Sequence, residues 1–67
     1  MVTIYKKLGQ KIRDLRKQAK LSQEELAAKS KLDLTSISEI ESGLRNPSLK
    51  TLNKIASALK VKIDELL

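Results

Sequence analysis

The chain contains no cysteine, histidine, Phe or Trp, and its 67 residues include only two glycines, one proline and a single aromatic residue, Tyr5. Without Cys or His it lacks a disulfide framework, the usual zinc ligands, a thiol nucleophile and an imidazole base. Gly9 and Gly43 are too far apart to form a glycine-rich phosphate loop. No apolar run approaches the ~20 residues of a membrane span, and nothing resembles a signal peptide. We therefore expect no enzymatic activity, metal, cofactor or membrane association.

The length and the apolar residues that are present favour one all-α domain over residues 1–67. The hydrophobic fraction is 40%, and it is supplied by Leu, Ile, Val and Ala rather than by large aromatic residues. Alternating Val, Thr, Tyr and Phe runs, which are typical of strands, are missing. Such a composition suits short, closely packed helices.

The first helix is predicted from a regular apolar stripe. Apolar residues recur at spacings of three and four, which is the pattern of an amphipathic helix over about Ile4–Ala19. Gly9 lies inside this helix at a cost of about 1 kcal/mol relative to Ala. It therefore marks either an exposed position or a tightly packed one. The stripe consists of Ile4, Leu8, Ile12, Leu15 and Ala19.

Two short helices follow, and each has its own start signal. Ser22 and Glu25 have the spacing of a capping box, and Asp33 is a favourable N-cap. Only about three residues separate the two helices, so they form a helix-turn-helix candidate over about residues 22–43. The predicted helices span Gln23–Ser30 and Leu34–Ser42, and Gly43 follows the second.

The second helix of this pair has an unusual outward face. Ile37 and Ile40 are three residues apart and predict the buried side. The opposite side, which we call the reading face, consists mainly of short polar side chains that fit a major groove ~12 Å wide. The reading face is formed by Leu34, Thr35, Ser38 and Glu39, with Ser36 beside it.

The rest of the chain predicts two further helical elements. Residues 44–47 form a loop, and Ser48 is an N-cap for a fourth helix that extends to about Leu59. Ile63, Leu66 and Leu67 predict one final helical turn, which brings the expected number of helices to five.

Four segments in order resemble the phage-repressor/Cro (XRE-type) helix-turn-helix family over about residues 8–67. The segment Leu32–Thr35 also resembles the small controller proteins of restriction–modification systems. The four segments are Leu8–Arg16, Leu21–Ala27, Ile37–Gly43, and Arg45–Leu49 continuing through Ile63–Leu67.

The resemblance implies a compact, five-helix, lambda-repressor-like domain. Such a domain would regulate transcription in the cytoplasm of a prokaryotic or phage-infected cell, binding a palindromic operator in double-stranded DNA as a homodimer, without a small-molecule ligand. Family positions that meet base edges fall on Leu34, Thr35, Ser36, Ser38 and Glu39. Positions that contact phosphate fall on Gln23, Arg45 and Asn46, and a partly buried ion pair falls on Arg16 and Glu41.

The sequence departs from the family at the reading face. That face has no cation, Lys31 stands where a turn glycine is common, and Leu44 replaces a commonly polar residue. Three alternatives are open for Glu39: it accepts from cytosine N4, it pairs with a cation on the partner or in its own chain, or it simply discourages wrong sequences. The polar residues of the face could also simply be solvated.

The homodimer needs a surface of its own, because one domain this small offers few contacts. Two copies would read half-sites ~34 Å apart. The alternative is that these apolar residues only complete the monomer's own core. The candidates are Leu44, Val61, Ile63, Leu66 and Leu67.

A second function remains open from the sequence. The acidic, short-chained reading face and Leu44 are also compatible with an antitoxin-like interaction module that neutralises a partner protein and binds DNA secondarily.

The net charge of +6 is unevenly distributed. Residues 1–20 hold seven cations and one anion, and residues 43–62 hold five cations and no anion. Residues 21–42 hold two cations and five anions, a net charge of −3, and residues 63–67 hold two anions. Positive charge thus flanks the helix-turn-helix. We expect the flanks to supply affinity for the DNA backbone and the reading face to discriminate by short polar contacts and exclusion.

Overall fold

The computed structural model describes residues 3–67, so residues 1 and 2 of the predicted domain lie outside the described residues. The described part is all-α, as predicted, with no strand. None of its helices is long and apolar enough to cross a bilayer. The elements are α1 (Ile4–Gln18), α2 (Gln23–Ser30), α3 (Leu34–Glu41), α4 (Leu49–Leu59) and a final 3-10 turn (Ile63–Glu65).

The predicted count of five helices is not confirmed, because the last element is a single 3-10 turn. Its bonds close over three residues: the Glu65 amide donates to the Lys62 carbonyl at 3.0 Å and the Leu66 amide to the Ile63 carbonyl at 2.9 Å. Lys60 ends α4 in a left-handed conformation with φ of 60°.

Each of the four α-helices begins at a side-chain cap, which explains where the chain turns helical. Ser22 and Glu25 form the predicted capping box, with bonds of 3.0 and 2.9 Å. Asp33 and Ser48 accept from the amides three residues later, as their positions predicted. Thr3 caps α1 in the same way. Helices α1 and α3 end one residue before the predicted limits, at Gln18 and Glu41.

The core lies where α3 packs against α1 and α2, with α4 closing it from the side of α2. Leu66 of the final turn is 2% exposed and completes this core. Of the two alternatives for Leu66, a dimer surface and the monomer's own core, this burial supports the core, because its apolar area is already covered within the chain. The five largest fully buried side chains are Ile12, Leu26, Ile37, Ile40 and Ile55.

Gly9 marks a close crossing of α1 over α3. A Cβ atom added at Gly9 would collide with the carbonyl oxygen of Ile40 and lie 2.6 Å from that of Glu41. Both obstacles are backbone atoms, which cannot rotate away. Of the two interpretations of Gly9, tight packing is therefore the one that the structure supports, and it brings α1 against the end of α3.

Candidate nucleic-acid interface

A buried ion pair fixes α3 relative to α1. The guanidinium of Arg16 meets the carboxylate of Glu41 in a two-pronged contact, with Nε to Oε2 at 2.7 Å and Nη2 to Oε1 at 3.1 Å. The side chains are only 11% and 3% exposed, and Arg16 also donates to the carbonyl of Leu21 at 2.8 Å. We call Arg16 and Glu41 the inner pair. It agrees with the pairing implied by the family resemblance.

Helix α2 is tied into the same network through Gln23. The Gln23 amide Nε2 donates to Glu41 Oε1 at 3.1 Å. Gln23 is the first residue of α2 and is half-buried. The carboxylate of Glu41 thus connects the start of α2 and the last turn of α1 to α3, which sets the position of the reading face.

The reading face is open, with one exception beside it. Leu34 is 44% exposed, Thr35 is also exposed, and Ser38 and Glu39 are half-buried. Ser36, which was expected beside this face and at a base-reading position of the family, is only 7% exposed and is not open to a base edge in this conformation. Residue 36 lies about 100° around the helix from residue 35, which turns its hydroxyl toward the following loop.

The Ser36 hydroxyl is instead part of a hydrogen-bonded chain at the rim of α3. It donates to Asp33 Oδ1 at 2.5 Å, and it accepts from Arg45 Nη1 at 2.7 Å. These bonds tie the N-cap of α3 to the loop that precedes α4. Ser36 therefore has a positioning role in this conformation.

Arg45 reaches back from that loop and pairs with Glu39. Arg45 Nη2 lies 2.8 Å from Glu39 Oε1, and the two side chains are 45% and 40% exposed. We call Glu39 and Arg45 the outer pair. Of the alternatives for Glu39, pairing with a cation of its own chain is the one present here, and it places a cation at the edge of the reading face.

Two carboxylates at helix starts are held in the charged form. Hydrogen bonds from the Ser36 side chain and amide, aided by the charge of Arg45, lower the pKa of Asp33 below its ordinary 3.8. Bonds from the Ser22 amide and hydroxyl lower the pKa of Glu25 below its ordinary 4.5. Both groups are therefore ionised at neutral pH and stabilise their helix N-termini.

The remaining predicted phosphate contact, Asn46, is exposed next to Arg45. Gln23, Arg45 and Asn46 are thus spread between the start of α2 and the loop before α4, on either side of α3 in the sequence. In the free protein Gln23 already bonds to Glu41 of α3, and Arg45 bonds to Glu39 and Ser36 of α3. The sequence left open that Glu39 pairs with a cation of its own chain, but it did not identify Arg45 as that cation.

The predicted dimer residues divide into exposed and covered ones. Leu44 and Leu67 are 79% and 75% exposed. Val61 and Ile63 are half-buried and pack against the core. The exposure of Leu49, at 68%, had no signal in the sequence because its position in the first turn of α4 fits the apolar spacing of that helix. Within residues 3–67 no cluster of carboxylates has the makings of a metal site.

Comparison with known proteins gives consistent matches. A sequence profile described as helix-turn-helix matches residues 12–66. The control protein C.BamHI of Bacillus amyloliquefaciens is 47% identical over 60 residues, covering 88% of this chain and 74% of that protein. The immunity repressor protein of Bacillus phage phi105 is 39% identical over 59 residues. The crystal structure of the restriction-modification controller protein C.AhdI from Aeromonas hydrophila has a TM-score of 0.93 at 43% identity, covering 94% of this chain and 96% of that one.

These likenesses confirm the resemblance to phage repressors and restriction–modification controllers that the sequence motifs indicated. The proteins named are regulators by their descriptions and not enzymes, in agreement with the expected lack of catalysis. The match covers 88% of this chain but only 41% of the phage repressor's length, so it concerns one part of that protein.

Proposed function

Because the chain belongs to the helix-turn-helix family of DNA-binding regulators, we propose that it regulates transcription by binding operator DNA as a homodimer, with α3 in the major groove. The observation that carries this proposal is the contrast between the two sides of α3. One side is held by the buried inner pair, while the reading face stays open. A protein with this role would act in the cytoplasm, where bacterial and phage DNA lies.

Sequence discrimination is assigned to the reading face. Thr35 and Ser38 carry hydroxyls that donate to or accept from base edges, and the apolar parts of Leu34 and Thr35 suit a thymine methyl group. Their side chains are short, so the helix backbone has room to enter the groove. Glu39 is the one charged member, and its carboxylate suits a base amino group.

Affinity for the DNA backbone is assigned to the polar and cationic residues on either side of α3. Gln23, Arg45 and Asn46 would contact phosphates and fix the register without reading sequence. The segment 43–62 has a net charge of +5, from five cations and no anion, and supports the same surface. Residues 1–20, with a net charge of +6, add attraction at longer range.

The homodimer is assigned to a surface around Leu67. Leu67 lies beside an apolar groove lined by Ile4, Tyr5 and Leu8 of α1 together with Leu52 and Leu66. Replacing Leu67 by Ser should lower the fraction of dimer measured by sedimentation equilibrium, while Leu49→Ser, at a residue that is 68% exposed and outside the predicted dimer surface, serves as control. A monomeric wild-type protein at the concentration that saturates DNA would contradict the dimer.

Salt-dependent DNA binding tests the proposal as a whole. A duplex is first selected from a random pool, and its affinity is then measured at increasing salt. If about six phosphates are neutralised, log K should fall against log salt with a slope near −5. As a control, Ser57→Ala on the exposed side of α4 should give the same salt slope as the wild type. A flat response, or a pool that yields no bound duplex, would overturn the proposal.

The interaction-module alternative is supported by Leu44, which is 79% exposed. The other observation in its favour, an acidic reading face, is weakened because Arg45 pairs with Glu39. A stoichiometric protein partner that co-purifies from the source, and whose binding is lost in Leu44→Ser while DNA binding is kept, would favour this second function.

A further inference from the structure

The outer pair is the one ion pair that involves the reading face in the described part of the chain. The Arg45 guanidinium is held at both ends, by Glu39 Oε1 at 2.8 Å and by Ser36 Oγ at 2.7 Å. About half of each charged side chain is exposed, so both remain within reach of a ligand. The same arginine is the residue to which a phosphate contact was assigned, and it cannot serve phosphate and Glu39 equally well.

The carboxylate of Glu39 makes the release of Arg45 unfavourable near DNA. If Arg45 moved to a phosphate, Glu39 would be left as an uncompensated anion close to a polyanion. On DNA of arbitrary sequence, we therefore expect Arg45 to stay on Glu39, where the pair is neutral. A base amino group changes this balance, because cytosine N4 or adenine N6 donates hydrogen bonds to the carboxylate in place of the guanidinium.

We propose that Glu39 makes the phosphate contact of Arg45 conditional on the base sequence. At a cognate site a base amino group takes over Glu39, and Arg45 is exchanged onto a phosphate. At other sites the exchange does not occur and the contact is withheld. This gate rests on the proposed function, and it explains why a reading face bordered by cationic segments carries a glutamate at all.

The partial exposure of the outer pair fits an exchange of partners. Half-exposed ion pairs are weak because water screens them, so DNA can replace one partner at little cost. The inner pair, 11% and 3% exposed, has no such access. Ser36 keeps the guanidinium at the rim of α3, where a short movement of the loop residue Arg45 carries it from one partner to the other.

The number of phosphates contacted, read from the salt slope, tests the gate. Each phosphate neutralised on B-DNA contributes a slope of about −0.9. On a random-sequence duplex, Glu39→Gln should steepen the slope by about 0.9 because Arg45 is set free. Arg45→Ala should leave the wild-type slope on that duplex unchanged, and in the Glu39→Gln background it should restore the wild-type value.

The selected duplex should give the opposite dependence on Arg45. There Arg45→Ala alone should reduce the slope by about 0.9, since the contact is already made. Glu39→Gln should reduce the affinity ratio between selected and random duplex by about tenfold. Asp64→Asn removes the same charge from the final turn and should change neither slope, which separates the gate from a general effect of net charge.

Two results would overturn the gate while leaving the proposed function standing. In the first, Arg45→Ala reduces the slope on random DNA as much in the wild type as in Glu39→Gln. In the second, Glu39→Gln leaves both the slope and the affinity ratio unchanged. A wild-type protein that binds neither duplex would instead overturn the proposed function, and the gate with it.

Discussion

Helix α3 carries two glutamates only two residues apart, Glu39 and Glu41, and each pairs with an arginine on a different side of the helix. The inner pair with Arg16 is almost completely buried, whereas the outer pair with Arg45 is about half exposed. The distances are nearly the same, 2.7 and 2.8 Å. Burial therefore decides the role of each pair, and distance does not.

The difference suits one short helix to combine a fixed placement with contacts that can be exchanged. Removing a partner from a buried pair leaves a charge without solvent, which costs several kcal/mol. Removing a partner from an exposed pair costs about 0–1 kcal/mol because water takes its place. The inner side of α3 is thus suited to hold the helix, and the outer side is suited to exchange contacts with a ligand.

The largest expected effect is on stability when the inner pair is broken. Glu41→Ala strands the buried guanidinium of Arg16 and removes the acceptor of Gln23, so we expect a loss of about 3–5 kcal/mol in the free energy of unfolding. Urea denaturation followed by circular dichroism measures this loss. The matched variant Glu39→Ala should cost no more than about 1 kcal/mol. Equal losses for the two variants would remove the distinction between the pairs.

The second-largest expected effect is a loss of stability when the crossing of α1 over α3 is overpacked, with no change in charge. Gly9→Ala places a methyl group against backbone carbonyl oxygens of α3. Overpacking of this kind costs about 1–3 kcal/mol, which exceeds the gain of about 1 kcal/mol from replacing a helical glycine by alanine. Thermal unfolding of Gly9→Ala should therefore show a lower midpoint than the wild type. The neighbouring exposed variant Gln10→Ala should stay within about 0.5 kcal/mol, and a stabilised Gly9→Ala would contradict the close crossing.

Much of this architecture was predictable because its signals are local. The caps Ser22, Asp33 and Ser48 lie where a side chain must accept the first free amides of a helix, so three helix starts could be predicted from short sequence patterns. The inner pair was predicted only through the family resemblance. Arg16 and Glu41 are 25 residues apart in the chain, and no local pattern joins them.

The errors arose where the path of a loop or turn decides the environment. Ser36 lies at the rim of the predicted face, and its hydroxyl bonds to Asp33 and to Arg45 of the returning loop. Leu66 and Leu67 are equivalent by composition, yet the 3-10 turn directs Leu66 into the core and leaves Leu67 outside. For Glu39 the sequence left several alternatives open, and pairing with a cation of its own chain was one of them. Which cation it meets depends on the same loop.

The smallest expected effect is on the loss of stability in acid, through Asp33 at the start of α3. The lowered pKa of Asp33 means that its stabilising contribution is complete above its ordinary pKa of 3.8 and is lost as pH falls through the lower folded-state value. Stability should therefore fall less between about pH 5 and pH 2.5 in Asp33→Asn than in the wild type. Urea midpoints at the two pH values give this comparison. Ser36→Ala removes the hydroxyl that bonds to Asp33 and should also weaken the dependence; an unchanged dependence in both variants would contradict the assignment.

We propose that the outer side of α3 reads bases from a position fixed by its inner side. The most direct measurement is a selection of bound duplexes from a random pool with the wild type and with Thr35→Ala. We expect the wild type to enrich a sequence with two-fold symmetry, and Thr35→Ala to lose the preference at one base pair in each half-site while keeping the others. Enrichment of no sequence by the wild type, or an identical preference at every position for both proteins, would contradict the claim.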